Sequence, residues 1–299
     1  MYYIVYGFLY LLSLLPFFII YRISDFAYFL LYYVFGYRKK LVMYNLEIAF
    51  PEKTKQERIK IAKKFYLNFT DTFIEIIKTL SMSDAAVEER NAGNFEIVNN
   101  LIAKGRNVQM MGGHMFNWEY ANLIFSKKVN LPIIGPYSKI TSKTVERLFL
   151  KIRSRYGSVM IPTATFREVG RELTKKQYVI FLGADQNPQP QNGYWLNFFN
   201  KPIPLVWGPY KAAIKNDTAI VFVNSTKIRR GFYRYNCEEA IENPKDFTPE
   251  QLALKFRDFL QESVKNEPDN YLWTHRRWRY EFRDIFRDLW IDDKAPCPL

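Results

Sequence analysis

The chain has 299 residues and two histidines, and one of these, His114, sits in the stretch MMGGHMFNWEY at 110–120, after Gly112 and Gly113 and five positions before Glu119. An imidazole whose tautomer is fixed by a carboxylate, which also stabilises the imidazolium, is a general base. On one continuous helix, residues five apart stand about 140° from each other, so they would not share a face. With His114 in a loop and Glu119 in the first helical turn, the carboxylate can reach back to the ring. An ordinary strand-to-helix junction uses the same residue types, and the spacing alone leaves both possibilities open.

The surrounding elements decide where such a pair would stand. NVQMM at 107–111 has the composition of a short buried strand, and Gly112 and Gly113 permit a tight turn at its carboxyl end. Ligands of open α/β sheets bind at that edge. The runs LPIIG, GSVMI, YVIFLGA and TAIVFVN alternate with stretches of helical polarity such as SKTVERLFLKIRSRY. This predicts an α/β fold with a central mixed sheet flanked by helices. Asp185 follows YVIFLGA and is therefore expected at the same sheet edge as His114, where it either shapes a binding site or bonds a turn. Two helix starts are legible: Thr54 and Glu57 form a capping-box pattern ahead of Ile61, Phe65, Phe69, Phe73 and Ile76, and Thr248 with Pro249 precedes Leu252, Phe256, Leu260 and Val264.

The amino terminus carries a different message. Residues 1–21, MYYIVYGFLYLLSLLPFFIIY, contain no charged side chain, and about 20 apolar residues suffice to cross a bilayer. No basic residue precedes the run and no small-residue cleavage site follows it, so an uncleaved membrane-anchoring helix is expected. FAYFLLYYVFGY then leads to Arg38, Lys39 and Lys40, which suits an interfacial segment and, by the positive-inside tendency, a cytoplasmic body. The expected organisation is an anchor and interfacial segment over 1–40 and a catalytic domain over 41–299. With 43 Lys and Arg against 30 Asp and Glu, the net charge of +13 favours acidic partners.

Several chemistries have no foundation in the chain. Two histidines and the two distant cysteines, Cys237 and Cys297, lack the clustering of a metal site or a disulfide framework. Neither nucleotide-binding glycine motif occurs, and no cofactor is expected. Nucleic-acid binding would use the charge but leave the apolar amino terminus and the histidine motif unexplained. A non-catalytic, membrane-anchored scaffold is the alternative from another class, since an anchor and a basic surface would persist without chemistry.

GGHMFNWE resembles the H-x4-D/E motif of the glycerolipid and lipid A acyltransferases. NLEIAFPEKTKQER at 45–58, LKIRSRYGS at 150–158, GADQN at 183–187, WLNFFNKPIP at 195–204 and YLWTHRRWR at 271–279 resemble further blocks of the lipid A late acyltransferases, the lauroyl and myristoyl transferases, in the same order. The resemblance covers nearly the whole chain. It implies transfer of a fatty acyl chain from an acyl carrier protein thioester to a hydroxyl of a lipid A precursor, or of another membrane lipid, at the cytoplasmic side of a Gram-negative inner membrane. His114 is then the expected general base and Glu119 its orienting carboxylate, with the substrate hydroxyl as nucleophile. Gly113, Asn117, Arg153 and Asp185 form the expected substrate-binding set, with the backbone near Gly112 and Gly113 or the Arg153 cation available to an oxyanion. Arg276 and Arg277 are expected to face a partner or headgroup, and His275 to be structural. The acidic carrier protein gives the basic surface a partner.

Overall fold

The computed structural model describes residues 1–293 and residue 296, so Cys297 lies outside it. The apolar amino terminus is divided where Pro16 removes a backbone donor and pushes Leu15 to extended geometry (φ −57°, ψ 143°). Helix α1 (Tyr2–Leu14) ends there and α2 (Phe17–Phe29) begins, running on into a π turn over Leu30–Val34. The helix expected across 1–21 is therefore two helices. Among the described residues, one segment is long and apolar enough to cross a membrane, Phe17–Val34, of 18 residues.

Helices α3 (Lys39–Ala49) and α4 (Lys55–Lys78) follow, and α4 opens on the expected capping box between Thr54 and Glu57. Phe65 and Ile76 of the expected stripe are buried, whereas Phe73 is exposed. The polar residues Asp71 and Glu75 of α4 are buried as well, and Tyr21 Oη donates to Glu75 Oε1 at 3.0 Å. They bind the amino-terminal helices to the body: Asp71 accepts from Ser24 Oγ at 2.7 Å and from Lys227 Nζ at 2.9 Å, and Arg230 bridges Asp71 and Asp25. The opposite faces of α1 and α2 remain uncovered, with Ile4, Phe8, Leu11, Phe18 and Phe26 exposed. Cations border this surface, Arg147 lying 4.1 Å from the Tyr2 ring centre and Lys39 Nζ 3.9 Å from that of Tyr32. Exposed apolar side chains with aromatics and cations at their edge are the composition of a membrane-inserted surface.

The body proceeds through α5 (Asp84–Arg90), β1 (Asn91–Gly93), α6 (Glu96–Ala103), β2 (Val108–Gly112), α7 (Trp118–Lys128), β3 (Ile133–Tyr137) and α8 (Lys143–Arg153). It continues with β4 (Val159–Pro162), α9 (Phe166–Leu173), β5 (Val179–Gly183), β6 (Gly193–Phe198), β7 (Lys201–Val206) and α10 (Gly208–Lys215). The last elements are β8 (Ala219–Arg229), β9 (Phe232–Ile241) and α11 (Pro249–Asn266). Seven strands form one mixed sheet in the order β1-β9-β8-β2-β5-β3-β4, as expected for the fold class. The five strands from β8 to β4 run parallel, and β9 returns antiparallel beside β8. Strand β2 is buried along its whole length and lies between two parallel neighbours, so its residues on both faces are covered and show no alternation of buried and exposed positions. The hairpin β6–β7 stands outside this sheet, and Cys237 is a buried free thiol on β9.

The buried Asp71 gives a stability test of the amino-terminal junction. Asp71→Ala leaves Lys227 and Arg230 without their shared counter-charge, which for a broken buried pair costs about 3 to 5 kcal/mol. The unfolding midpoint of the detergent-solubilised protein should fall accordingly, whereas Glu172→Ala, which breaks an exposed pair with Lys175, should change stability by no more than about 0.5 kcal/mol.

Candidate active site

The carboxyl ends of β2 and β5 meet in register, Gly112 opposite Gly183. A side chain at Gly112 would run into the carbonyl oxygen of Val223 (2.7 Å from an added Cβ), so this strand end needs glycine for close approach. At Gly183 an added Cβ would fall 2.9 Å from His114 Cε1. The imidazole thus lies across the place a side chain would occupy, and Gly183 is part of the site by what it lacks. His114 is in the loop between β2 and α7, as expected, and Glu119 is in the first turn of α7.

The partner of His114 differs from the expected one. His114 Nδ1 lies 2.5 Å from Asp185 Oδ1, and the His114 backbone N–H donates to Asp185 Oδ2 at 3.2 Å. Glu119 is turned to Arg153, whose Nε donates to both of its carboxylate oxygens at 3.0 Å and whose Nη2 donates to Oε1. The cause is local: the Asn117 side chain caps α7 by accepting from the Glu119 and Tyr120 N–H groups, and α8 ends at Arg153 beside it. A carboxylate held in a planar guanidinium fork is fully engaged. Asp185, expected to shape a binding site or a turn, is instead the carboxylate behind the imidazole.

Asp185 is entirely buried. Burial alone would raise its pKa, but His114 and Arg277 nearby, together with its hydrogen bonds, hold it well below the usual carboxylate range. Tyr271 Oη donates to Oδ2 at 3.1 Å and Arg277 Nη2 at 2.7 Å. A buried carboxylate only accepts, so the ring proton is on Nδ1. Gln186 Nε2, which only donates, lies 3.2 Å from His114 Nε2 and agrees with that tautomer. The free lone pair is on Nε2, and a hydroxyl displacing Gln186 would meet it.

His114, Glu119, Arg153, Gly113 and Gln186 line a cavity of about 440 Å³ whose remaining wall includes Trp118, Ile133, Ile140, Met160 and Phe181. That is the size and mixture of a small-ligand site, apolar walls with a few convergent polar groups. A hollow of about 500 Å³ beside α11, bordered by Lys53, Asn200, Asp258, Gln261 and Lys265, contains no imidazole and lacks this constellation. Among the described residues no cluster of histidine, cysteine and carboxylates could hold a metal ion.

Of the other expected site residues, Gly113 and Arg153 reach the cavity and Asn117 does not. Asn117 is fully buried, with its Nδ2 donating to Glu75 Oε2 at 3.0 Å. Burial raises the pKa of Glu75, a shift that Lys227 and hydrogen bonds from Tyr233 and Asn117 offset only in part. Asn117 therefore fixes the loop between His114 and Glu119 from beneath. His275 is held neutral, its pKa pushed down to about 4 by burial and then by Arg277. Arg276 is exposed, but Arg277 is 2% exposed and so faces neither partner nor headgroup. Gly183, Gln186, Tyr271 and Arg277 are site residues that spacing did not reveal. They belong to the blocks GADQN and YLWTHRRWR; Ala184 N–H donates to Gly112 O at the end of β2, and Leu272 N–H donates to His114 O, with Phe116 N–H donating to Asn270 O just ahead of the second block.

Residues 1–280 match the sequence profile of the family described as bacterial lipid A biosynthesis acyltransferase. The chain is 24% identical over 281 residues to the lipid A biosynthesis lauroyltransferase of Escherichia coli K12, covering 91% of this chain and 89% of that protein. It is 22% identical over 250 residues to the lipid A biosynthesis palmitoleoyltransferase of the same strain (81% and 79%), and 21% identical over 253 residues to a lipid A biosynthesis acyltransferase of Haemophilus influenzae (81% and 76%).

The Glu119–Arg153 pair can be tested apart from turnover. In a double-mutant cycle of Glu119→Gln and Arg153→Met read by chemical unfolding, the two changes should be coupled by about 1 to 3 kcal/mol, because each removes the same contact. Additive effects would show that the pair is not formed.

Proposed function

The chain belongs to the bacterial lipid A biosynthesis acyltransferase family, and from that membership we propose that this acyltransferase uses His114 as general base, oriented by Asp185, to move a fatty acyl chain from an acyl carrier protein thioester to a hydroxyl of a lipid A precursor. The observation that carries the assignment is the His114 Nδ1 contact to Asp185 at 2.5 Å, with Nε2 directed to a partly apolar cavity. The hydroxyl proton passes to Nε2 as the oxygen attacks the thioester carbonyl, and the imidazolium so formed is stabilised by Asp185. Collapse of the tetrahedral intermediate breaks the carbon–sulfur bond and releases the carrier thiol, to which the imidazolium returns the proton. The acceptor hydroxyl is the nucleophile, so no acyl-enzyme forms.

Arg153, paired with Glu119 and 18% exposed in its side chain, is a cation lining the same cavity as His114. It supports either a developing oxyanion or an acidic group of the acceptor. Glu119 then acts through Arg153, setting its orientation, rather than through the imidazole. The uncovered apolar faces of α1 and α2 and their cationic border support placement at the inner membrane with the body on the cytoplasmic side, where carrier protein and lipid are both within reach. The net charge of +13 favours an acidic carrier.

Steady-state turnover by folded variants, with a carrier-protein thioester as donor, tests the assignment. His114→Ala should lower kcat by about 10²- to 10⁴-fold, the range for a positioned base. Asp185→Asn, which cannot stabilise the imidazolium with a full charge, should fall toward the same floor. Turnover by His114→Ala near that of the parent protein would remove the base from the mechanism.

A further inference from the structure

Arg277 belongs to the carboxy-terminal block around THRRW, yet its side chain is 2% exposed and it is absent from the cavity wall. Its Nη2 donates to Asp185 Oδ2 at 2.7 Å while the other oxygen of that carboxylate holds His114 Nδ1 at 2.5 Å. The carboxylate stands between an imidazole on one side and a guanidinium on the other. Arg277 Nε and Nη1 are buried without a hydrogen-bond partner, an arrangement that costs stability rather than adding it. An apolar side chain would fill the same space without that cost. The guanidinium therefore has an electrostatic use.

We infer that Arg277 is a positioning residue for the acyl transfer: its buried cation holds Asp185 ionised and thereby keeps His114 free to accept the proton of the acceptor hydroxyl. This rests on His114 being the base. Imidazole and carboxylate in contact take up a proton as one unit, and the pair has charge −1 before and zero after, whichever group carries the proton. A cation buried against the pair favours the charged state, which is the state competent to act as a base. The other groups facing it leave this sign unchanged. Tyr271 and Tyr210 are buried with pKa raised well above the ordinary phenol value, mainly by burial, and stay neutral; His275 stays neutral as well. Gln186 has no charge, and Glu119 and Arg153 on the cavity side compensate one another. Arg38 reaches the same block through the Thr274 carbonyl at 2.8 Å, but it is Arg277 that touches the carboxylate.

The pH dependence of kcat/KM reads this directly, because its ascending limb reports the deprotonation of the base in the free enzyme. The experiment uses the full chain in detergent micelles, with a lauroyl thioester of an acyl carrier protein and a lipid A precursor as substrates. Arg277→Met removes the cation, so the pair should hold its proton to higher pH and the limb should move up by about one to two pH units. Arg277→Lys keeps the charge and should leave the limb within about half a unit of the parent, with kcat reduced through lost geometry. Arg277→Gln, also uncharged, replaces the methionine variant if that one does not fold. A folded uncharged variant whose limb stays at the parental pH, or a lysine variant displaced as far as the uncharged one, would overturn the proposal. His114→Ala belongs in the same series: if it retains turnover the base assignment fails, whereas an inactive His114→Ala beside an unmoved Arg277→Met limb removes only the role of Arg277.

Discussion

A carboxylate removed from water must find charge and donors inside the protein, and Asp185 is such a group. Left alone it would be several kcal/mol too costly to keep ionised. Its partners come from two separate parts of the chain: the imidazole and backbone N–H of His114 after β2, and Tyr271 and Arg277 after α11. Asp185 itself follows β5, the parallel neighbour of β2. Satisfying this one charge therefore fixes the histidine loop, the end of the central sheet and the carboxy-terminal block against one another. The same contacts set the ring tautomer and leave Nε2 open at the cavity.

Around that centre, three groups of polar residues do distinct work. Glu75 and Asn117 support the histidine loop from beneath, and Asn117 also caps α7. Glu119 and Arg153 join α7 to the end of α8 at the cavity wall. Asp71, with Ser24, Lys227 and Arg230, ties the apolar amino-terminal helices to α4 and to the hairpin of β8 and β9. Helix α8 also carries Arg147 and Lys151, which lie over Tyr2 and Tyr6 of α1. The same helix thus touches the exposed apolar surface and ends in the cavity, a short route from a bilayer to the proposed base.

How far the sequence discloses this follows from the range of each interaction. Strands β2, β5 and β8, the capping box of α4, the Thr248–Pro249 start of α11 and the loop position of His114 are all set by near neighbours, so composition and spacing reveal them. Pro16 was visible too, but the uncharged run around it masked its power to end a helix. Contacts across 71 and 92 residues, such as Asp185 with His114 and with Arg277, leave no local pattern. Glu119 lies five residues from His114 and Asp185 lies 71 away, so proximity in sequence favoured the wrong carboxylate as the structural partner of the ring. Arg277 resembled the exposed Arg276 beside it, and only the fold distinguishes a buried cation from a surface one.

The central claim is that Asp185, and not Glu119, holds the imidazole of His114. With only two histidines in the chain, nitrogen-15 labelling of the imidazoles gives a spectrum of two rings, and Asp185→Asn and Glu119→Gln can each be compared with the parent protein. The account predicts a low-field Nδ1 proton resonance for His114 that is lost or shifted strongly upfield in Asp185→Asn and stays in place in Glu119→Gln. A resonance that survives Asp185→Asn and disappears in Glu119→Gln would contradict it.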